Sequence, residues 1–365
     1  MEVMTSPALD YMESLGCKVE VSNGKKIVKN CNNIEDEVRS LYDGVGLRNI
    51  SHYGIIELKG NDVINFLHRI TTNSLEGVAK ESIKATIFTT EKGRIIDIAT
   101  LMNFDSHQLL ICSSENKDKV ISWINKYVIT DDVTAIDSKN KYNLLELIGP
   151  QADSFITLLC GNIANNIKPN TFKILHTEGL LFFLAKIQDE FSGRMKFWII
   201  ADDDNARRIT RFLIENKSFF DFNLVGEDAF NSFRIEMGIP AAPNELNDEY
   251  NPHEARLLSL VDFKKGCYIG QEVIARLDTY DKVQKYLMGV QFDNSDMGDN
   301  QLTLYDKEEK EAGKITSTVN SIKFKKYIGL AYIRREYVEE GTRLIARSED
   351  GNDLEVTVKN LPFRK

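Results

Sequence analysis

Residues 261–276 read VDFKKGCYIGQEVIAR, an apolar run that leads into two lysines, a cysteine between two glycines and a helix-forming segment. The last part predicts a helix over Gln271–Leu277, because good helix formers follow a glycine and a glutamate lies in the first turn. Gly266 and Gly270 allow a positive φ or a close approach of the backbone to another group. This pattern predicts a tight loop that presents its side chains just ahead of a helix.

Cys267 lies in that loop, next to Lys264 and Lys265. The partial positive charge at a helix N-terminus, together with two lysines, favours a thiolate over a thiol. A free cysteine is also commonly a small buried hydrophobic residue. The residues alone leave a reactive thiol and a packing residue as open alternatives.

The segment Lys265–Glu272, KGCYIGQE, resembles the signature of the YgfZ group, which are folate-binding proteins of iron–sulfur cluster assembly and repair. That group shares its fold with the T-protein of glycine cleavage, an aminomethyltransferase. The resemblance covers roughly residues 45–365 and is strongest at 258–276. It implies that Cys267 and Lys265 carry the chemistry, and that the partners are folate and iron–sulfur client or assembly proteins.

The resemblance also implies the fold class, which is α+β. We expect a T-protein-like folate-binding region of mixed antiparallel sheets and helices around a central cleft, in two subdomains over residues 1–285. A small C-terminal β-barrel is expected over residues 286–365. The residues agree, since six short strands between Tyr286 and Val358 are typical of a small barrel or sandwich. No Gly-X-Gly-X-X-Gly follows a strand, which argues against a dinucleotide-binding fold.

Upstream, short strands alternate with helices, which favours antiparallel sheets. One strand is predicted from Gly46 to Gly60, followed by an amphipathic helix over Val63–Ile70. Leu180–Ala185 and Phe197–Ala201 are predicted to pair. A further helix is predicted over Glu227–Met237.

Composition bounds the function. Hydrophobic residues make up 42% of the 365 residues and charged residues 28%, which is typical of a soluble globular protein. The net charge of -9 and the pI of about 5.3 argue against general binding to nucleic acid or to a membrane surface. Neither a signal peptide nor an apolar run of membrane-spanning length is present in the sequence, so we expect a cytoplasmic protein.

The five cysteines are dispersed, with no Cys-X-X-Cys pair and no metal-ligand spacing. That distribution suggests a reducing compartment, and no motif for a permanent iron–sulfur cluster or another metal site is present. Cys112 and Cys160 lie in apolar runs and are expected to be protected. Cys17 and Cys31 are expected to have ordinary surface surroundings.

A folate site needs aromatic and apolar walls for the flat pterin and cations for the glutamate tail. By position in the resembling pattern, Tyr53 and Phe230 are the aromatic residues placed against tetrahydrofolate or a one-carbon derivative of it. Arg234 lies one helical turn after Phe230 and can share its face. Core packing is the alternative for both aromatic residues. The resemblance adds Lys265, and Gln271 with Glu272, to the residues expected to bind the cofactor.

The sequence departs from the aminomethyltransferases at two acidic positions. Their Gly-Gly-X-X-Asp-Asp stretch is here Gly93 to Ile98, so Asp97 is retained and its acidic neighbour is Ile98. In a second stretch a carboxylate is replaced by Arg194. A one-carbon transfer that relies on these carboxylates would lack part of its acid–base groups.

Three functions therefore compete. The first is a tetrahydrofolate-binding factor that supports iron–sulfur cluster assembly or repair through Cys267. The second is a folate-dependent aminomethyl- or methyltransferase or demethylase that uses Asp97 or another carboxylate. The third is a thiol hydrolase, which needs a histidine base near Cys267. His253 is the candidate for that base, and its polar loop predicts that it faces solvent.

Overall fold

The computed structural model describes residues 5–22, 24–138, 141–191, 193–293 and 302–364. In those ranges, no helix is long and apolar enough to cross a membrane. Their helices are α1 (Pro7–Ser14), α2 (Ile34–Asp43), α3 (Val63–Ile70), α4 (Lys117–Tyr127), α5 (Ala152–Cys160), α6 (Asn162–Asn165), α7 (Asp203–Glu215), α8 (Glu227–Met237) and α9 (Gln271–Thr279).

The strands in the same ranges are β1 (Lys18–Ser22), β2 (Lys25–Asn30), β3 (Val45–Asn49), β4 (Gly54–Lys59), β5 (Ile83–Thr89), β6 (Ile95–Asn103), β7 (Gln108–Cys112), β8 (Thr134–Asp137), β9 (Asn143–Ile148), β10 (Thr171–Thr177), β11 (Leu180–Gln188), β12 (Met195–Ala201), β13 (Phe222–Leu224), β14 (Lys285–Phe292), β15 (Leu302–Tyr305), β16 (Glu311–Ser321), β17 (Lys326–Arg334), β18 (Arg343–Ser348) and β19 (Asp353–Lys359).

The chain divides into two compact units. Unit 1 contains Met1–Leu67, Leu75–Ala85 and Ala99–Phe230; unit 2 contains His68–Ser74, Thr86–Ile98 and Asn231–Lys365. Each unit thus gathers segments that are distant in sequence. The division into 1–285 and 286–365 stays a prediction.

The main sheet of unit 1 has six strands in the order β10-β11-β12-β9-β3-β13. The predicted pairing of the segments that became β11 and β12 is confirmed, with Ala185 opposite Trp198. All neighbours are antiparallel except β13, which runs parallel to β3. Apolar side chains of α1, α5 and α7, including Leu9, Phe155 and Ile209, are buried in the core cluster that also contains residues of this sheet. Burial of their apolar surface is the main force that holds the sheet and helices together.

The single strand predicted from Gly46 to Gly60 is wrong, because the segment forms two strands in different sheets. β3 belongs to the six-stranded sheet, and β4 to a five-stranded sheet of order β5-β6-β7-β4-β8. A turn separates them: Tyr53 N donates to Ile50 O at 3.0 Å, and Ser51 N donates to the Asn49 side chain at 3.0 Å. These bonds replace the ladder bonds that a continuous strand would make.

Unit 2 contains a closed barrel of order β14-β17-β16-β15-β18-β19, in which β19 also pairs with β14. Its interior is filled by buried apolar residues from every strand, such as Val290, Leu304 and Val356. Closure leaves no unpaired sheet edge. The barrel and the α+β class are thereby confirmed, and the sandwich alternative is excluded.

Cys17 and Cys31 form a disulfide, so the expectation of ordinary surface thiols is wrong for this pair. The antiparallel pairing of β1 with β2 brings them together. Lys18 lies opposite Asn30, Cys17 immediately precedes Lys18, and Cys31 immediately follows Asn30. Disulfides persist mainly in oxidising compartments. These two cysteines therefore no longer support a reducing compartment, and a cytoplasmic location stays a prediction.

Candidate functional site

The loop of residues 261–270, here called the motif loop, lies in unit 2 and is attached at both ends to neighbouring backbone. At its start, Asp262 N donates to Thr72 O at 3.0 Å. At its end, Ile269 N donates to Arg69 O at 3.2 Å, and Thr89 Oγ1 donates to Ile269 O at 2.8 Å. Both ends of the loop are thus attached through hydrogen bonds to the loop's own backbone N–H and C=O groups.

Lys265 supplies a third attachment. Its Nζ donates to the carbonyl oxygens of His68, Thr71 and Asn73, the last two at 2.8 Å. These carbonyls lie at and just beyond the C-terminal end of α3, where carbonyl groups lack helical partners. An ammonium group has three donors, and all three are used here. Burial lowers the pKa of Lys265 to about 8. The geometry therefore favours a positioning role for Lys265 over proton transfer or cofactor binding.

The two glycines of the motif differ. Gly270 has φ +85°, and a Cβ there would lie 2.6 Å from Thr90 O and 3.1 Å from the Cα of Gly93. Both predicted requirements, positive φ and close approach, are met at Gly270. At Gly266 neither holds, because φ is not in the left-handed region and no described heavy atom lies within 4 Å of where a Cβ would be. The positive φ expected at Gly266 is therefore wrong, and close approach of a ligand to its backbone stays a prediction.

Cys267 is exposed on this anchored loop, whereas Cys112 is buried and Cys160 is half-buried. Burial raises the pKa of the Cys160 thiol to about 11, which leaves little thiolate near neutral pH. The chain therefore presents Cys267 to solvent and protects the other two free thiols.

The prediction that His253 faces solvent is wrong. The side chain is buried, and its Nε2 lies 2.9 Å from Ile274 O, to which it donates. No hydrogen bond joins it to Cys267 within the described part of the chain. The bond to Ile274 O leaves Nδ1 as the basic nitrogen of the ring, so a hydrolase would need Nδ1 to accept from the Cys267 thiol, and the described residues show no such bond. The thiol hydrolase is therefore the least supported function.

The first turn of α9 carries the remaining motif side chains. Gln271 is half-buried and Glu272 is exposed. Next to the loop, Tyr268 is buried, and burial raises its pKa to about 12. Its hydroxyl makes no hydrogen bond within the described residues. A buried hydroxyl without a partner is unusual and marks a place where a ligand or water can bind.

Unit 1 contains a second polar site, a buried charge cluster centred on Arg48. Its Nη1 lies 2.6 Å from Glu146 Oε2, and its Nη2 lies 2.8 Å from Glu227 Oε1. Glu146 also accepts from Trp198 Nε1 at 3.0 Å and lies 3.4 Å from Lys196 Nζ. Asp189 completes the charge cluster, since its Oδ1 lies 3.4 Å from Lys196 Nζ.

Mutual attraction keeps these groups ionised despite burial. Burial alone would raise the pKa of Glu146, but Lys196 and Arg48 hold it below its ordinary value. Burial likewise opposes the charge on Arg48, and Glu227 and Glu146 with the nearby Tyr53 raise its pKa. A charge this deeply buried is tolerated only when it is paired and hydrogen-bonded. Glu227 is 30% exposed and Lys196 23%, so the cluster has an edge that solvent or a ligand can reach.

Tyr53 and Phe230 both lie in unit 1 beside Arg48. The Arg48 guanidinium carbon lies 3.2 Å from the centre of the Phe230 ring, and Phe230 itself is half-buried. Tyr53 is half-buried against a core cluster that includes Trp198, and burial raises the pKa of its hydroxyl. Neither ring is enclosed as a core residue would be, so both fit an aromatic wall for a flat ligand.

Arg234 is placed differently. Its guanidinium donates to Asn231, Ile239 O, Glu245 and Ser317, at distances from 2.8 to 3.4 Å. Four of the five guanidinium N–H donors are therefore in use, which leaves one N–H of Nη2 for a folate carboxylate. This arrangement favours a structural role for Arg234.

The structure also describes the two positions, Ile98 and Arg194, at which this sequence lacks the acidic residues of the aminomethyltransferases. Asp97 is fully buried on β6, and its neighbour Ile98 offers no carboxylate. Arg194 is exposed, with Nη1 3.5 Å from Tyr42 O. The residues described at these positions thus supply one carboxylate where the transferase pattern has more.

Sequence reasoning missed Arg48, Glu146 and Lys196. The signal was present in GLRNI at residues 46–50 and LLELI at 144–148, where one charged residue interrupts an apolar strand. β3 and β9 place Arg48 directly opposite Glu146. Opposite charges at inward-facing positions of two buried strands indicate a buried ion pair.

Comparisons with known proteins agree with this architecture. Residues 10–265 match the family described as GCVT N-terminal domain, and residues 285–365 match the glycine cleavage T-protein C-terminal barrel domain. A chloroplastic protein of Arabidopsis thaliana, named as a transferase, is 28% identical over 94% of this chain and 78% of its own length. An aminomethyltransferase of Leptospira biflexa is 25% identical over 99% of this chain and 100% of its own.

Among solved structures, the glycine cleavage system aminomethyltransferase T from Bartonella henselae superposes with a TM-score of 0.86. The match covers 100% of this chain and 98% of that one, at 19% identity. At this identity the similarity shows the fold and leaves the activity to be argued from the residues.

Proposed function

The chain belongs to the GCVT family of glycine cleavage T-proteins, and we propose that it binds tetrahydrofolate and supports assembly or repair of iron–sulfur clusters in client enzymes. Cys267 is the group through which it acts, and the YgfZ group is the branch of the family that it resembles. Clients or assembly proteins of iron–sulfur enzymes are its protein partners.

One observation carries this proposal: an exposed thiol is held on a loop that backbone contacts fix in place. Cys267 is exposed, and Lys265 two residues before it binds three carbonyl oxygens. A thiol fixed in this way can meet a protein-bound cluster or its precursor without ordering a flexible segment first. Neither packing nor a hydrolase explains both the exposure and the anchoring.

Family membership supports tetrahydrofolate as the ligand. Tyr53 and Phe230 would form the aromatic wall, Gln271 and Glu272 would be polar contacts, and Arg234 and Lys265 would act by holding the surrounding backbone. When bound, the folate would supply a one-carbon carrier. Because Asp97 is the carboxylate that remains at the transferase positions, this chain offers limited acid–base chemistry of its own.

A titration with tetrahydrofolate tests the ligand. Tyr53→Ala and Phe230→Ala should each weaken binding by about 1–3 kcal/mol, because each removes an aromatic wall. Phe219→Ala is the matched control, since Phe219 is 82% exposed. If both wall variants fold, as judged by circular dichroism, and keep full affinity, the folate wall lies elsewhere.

The cellular role is tested in cells that lack the protein. Activities of iron–sulfur enzymes should fall there, while enzymes without clusters keep theirs. Normal cluster-enzyme activities in such cells would refute the assembly role, whatever the result of the folate titration.

A folate-dependent aminomethyl- or methyltransferase is the second candidate, favoured by the names of the relatives and by the retained Asp97. Purified protein given the aminomethyl-loaded lipoyl carrier and tetrahydrofolate should show negligible turnover under the first proposal. A robust rate that Asp97→Asn abolishes, and that Cys267→Ser leaves unchanged, would establish the transferase in its place.

A further inference from the structure

Unit 1 contains a small cavity whose lining shares Tyr53 with the proposed folate wall and is otherwise made of residues that the proposed function does not use. Its volume is about 40 Å³, and its lining residues all belong to unit 1. They come from α1 and the residues just before it, the β1–β2 hairpin, the turn between β3 and β4, β4, the N-termini of α4 and α7, the end of β8 and the start of β9. Lys25, His52, Tyr53, Ser138 and Asn143 are among them.

Two buried polar atoms of this lining lack hydrogen-bond partners within the described residues: Ser138 Oγ and Asn143 Oδ1. Ser138 is 6% exposed and Asn143 2%. The amide orientation of Asn143 is fixed, because its Nδ2 donates to Asp203 Oδ1 at 2.7 Å. Its Oδ1 must therefore accept a hydrogen bond, whereas the Ser138 hydroxyl can donate or accept. Buried groups of this kind nearly always have a partner, and here the cavity is where one can bind.

The cavity lining also includes a cation, Lys25, that no carboxylate contacts within the described residues. Lys26 is paired with Glu13 at 2.9 Å, and Lys117 is paired with Asp137. Lys25 donates to the carbonyl oxygen of His52 and has no carboxylate within 4.0 Å in the described parts of the chain. Burial, followed by the charge of Lys117, lowers the pKa of Lys25. A negative group in the cavity would accept the remaining Lys25 protons and relieve the cost of burying the charge.

We propose that this cavity binds a small carboxylate that carries an amino or hydroxyl group on its α-carbon, of the size of glycine or glycolate. The carboxylate accepts from Lys25 and Ser138, and the amino or hydroxyl group donates to Asn143 Oδ1. A volume of about 40 Å³ corresponds to about three water molecules, at ~10–15 Å³ each.

Calorimetric titration and thermal unfolding of the full chain test the ligand class. Glycine or glycolate should bind and raise the melting temperature. Acetate lacks the donor for Asn143 and ethanolamine lacks the carboxylate, so both should bind at least about tenfold more weakly. Binding of neither glycine nor glycolate would mean that the cavity holds only water. Acetate as tight as both would reduce the site to a general anion site, and either result overturns the proposal.

Variants test the location. Lys25→Gln should weaken binding by about tenfold or more, because it removes the cation, and Ser138→Ala by about threefold or more. Lys29→Gln is the matched control: Lys29 is on the same strand and paired with Glu20 at 2.8 Å, and it does not line the cavity. Full affinity in folded Lys25→Gln would refute the site. If that variant does not fold, Ser138→Ala decides, since it removes a hydroxyl that has no hydrogen-bond partner among the described residues.

Discussion

The charge cluster of unit 1 and the motif loop of unit 2 use cationic side chains in opposite ways. Arg48 is 1% exposed and pairs with carboxylates from β9 and α8. Lys265 binds backbone carbonyls and leaves its neighbour Cys267 exposed. In the charge cluster the charged side chains neutralise one another. In the motif loop the ammonium group of Lys265 holds the loop, on which the thiol of Cys267 faces solvent.

This difference implies that the charge cluster contributes mainly to stability and Cys267 mainly to function. Removing Arg48 leaves the buried carboxylate of Glu146 with Lys196 as its remaining cation at 3.4 Å, and loss of one partner from a buried ion pair is a costly change. Removing Cys267 takes away a thiol that is exposed at the surface of unit 2, which should cost little stability. The comparison thus predicts large effects on folding in the charge cluster of unit 1, and a large effect on function with a small effect on folding at Cys267.

The largest expected effect is that of Arg48→Met. Glu146 would lose its guanidinium partner in a buried site, so the free energy of unfolding should fall by about 3–5 kcal/mol. Denaturant unfolding measures this change. Arg39→Met is the control, since Arg39 pairs with Asp36 and Asp221 at the exposed surface and should have little effect. An Arg48 variant as stable as the control would show that the cluster is not the stabilising region.

Lys265→Met comes next. It leaves three carbonyl oxygens without their donor and should lower the free energy of unfolding by about 2–3 kcal/mol. Amide hydrogen exchange of residues 261–270 should quicken as the loop loses its attachment. Lys264→Met is the matched control, because Lys264 is the exposed neighbour. Equal exchange in the two variants would contradict the anchoring role of Lys265.

His52, which lies beside the charge cluster, should make the free energy of unfolding depend on pH. Burial, with Arg48 and Lys25 nearby, lowers the pKa of His52 to about 4, below the ordinary 6.5. Between these values the unfolded chain binds a proton that the folded chain does not, so stability falls as the pH drops through that window. From pH 7 to pH 5 the loss should be about 2 kcal/mol.

The variant His52→Gln should lose that part of the pH dependence. His176→Gln, which changes an exposed histidine of β10, should retain it. Denaturant unfolding at the two pH values gives the comparison. Identical pH dependence in wild type and His52→Gln would mean that His52 is not held neutral by its surroundings.

The exposure of Cys267 on the motif loop predicts that its thiol is alkylated faster than the thiols of Cys112 and Cys160. A thiol-alkylating agent at limiting concentration near neutral pH should label Cys267 before Cys112 and Cys160, because Cys112 is buried and burial raises the pKa of Cys160 to about 11. Mass spectrometry of the peptides gives the order. Labelling of Cys112 or Cys160 before Cys267 would contradict the prediction that Cys267 is the most accessible free thiol.

The sequence predicted what is local. The helices over 63–70 and 227–237 and the six barrel strands follow from periodicity and turn residues within short windows. The KGCYIGQE segment was recognisable because its residues are contiguous. The resemblance that it carried led to the T-protein fold.

What the sequence did not reveal depends on contacts between distant segments. The carbonyl partners of Lys265 lie almost two hundred positions before it, and the charge cluster joins β3, β9, β12 and α8. The burial of His253 depended on a carbonyl of α9. No local pattern specifies such pairs, since each depends on the tertiary fold.

The most direct test of the central claim is the rescue of iron–sulfur enzyme activity in cells that lack the protein. Wild type and Cys160→Ser should restore it, whereas Cys267→Ser should fail at equal protein level, although it folds and binds tetrahydrofolate as wild type does. Full rescue by Cys267→Ser would contradict the claim that the exposed thiol of the motif loop performs the function.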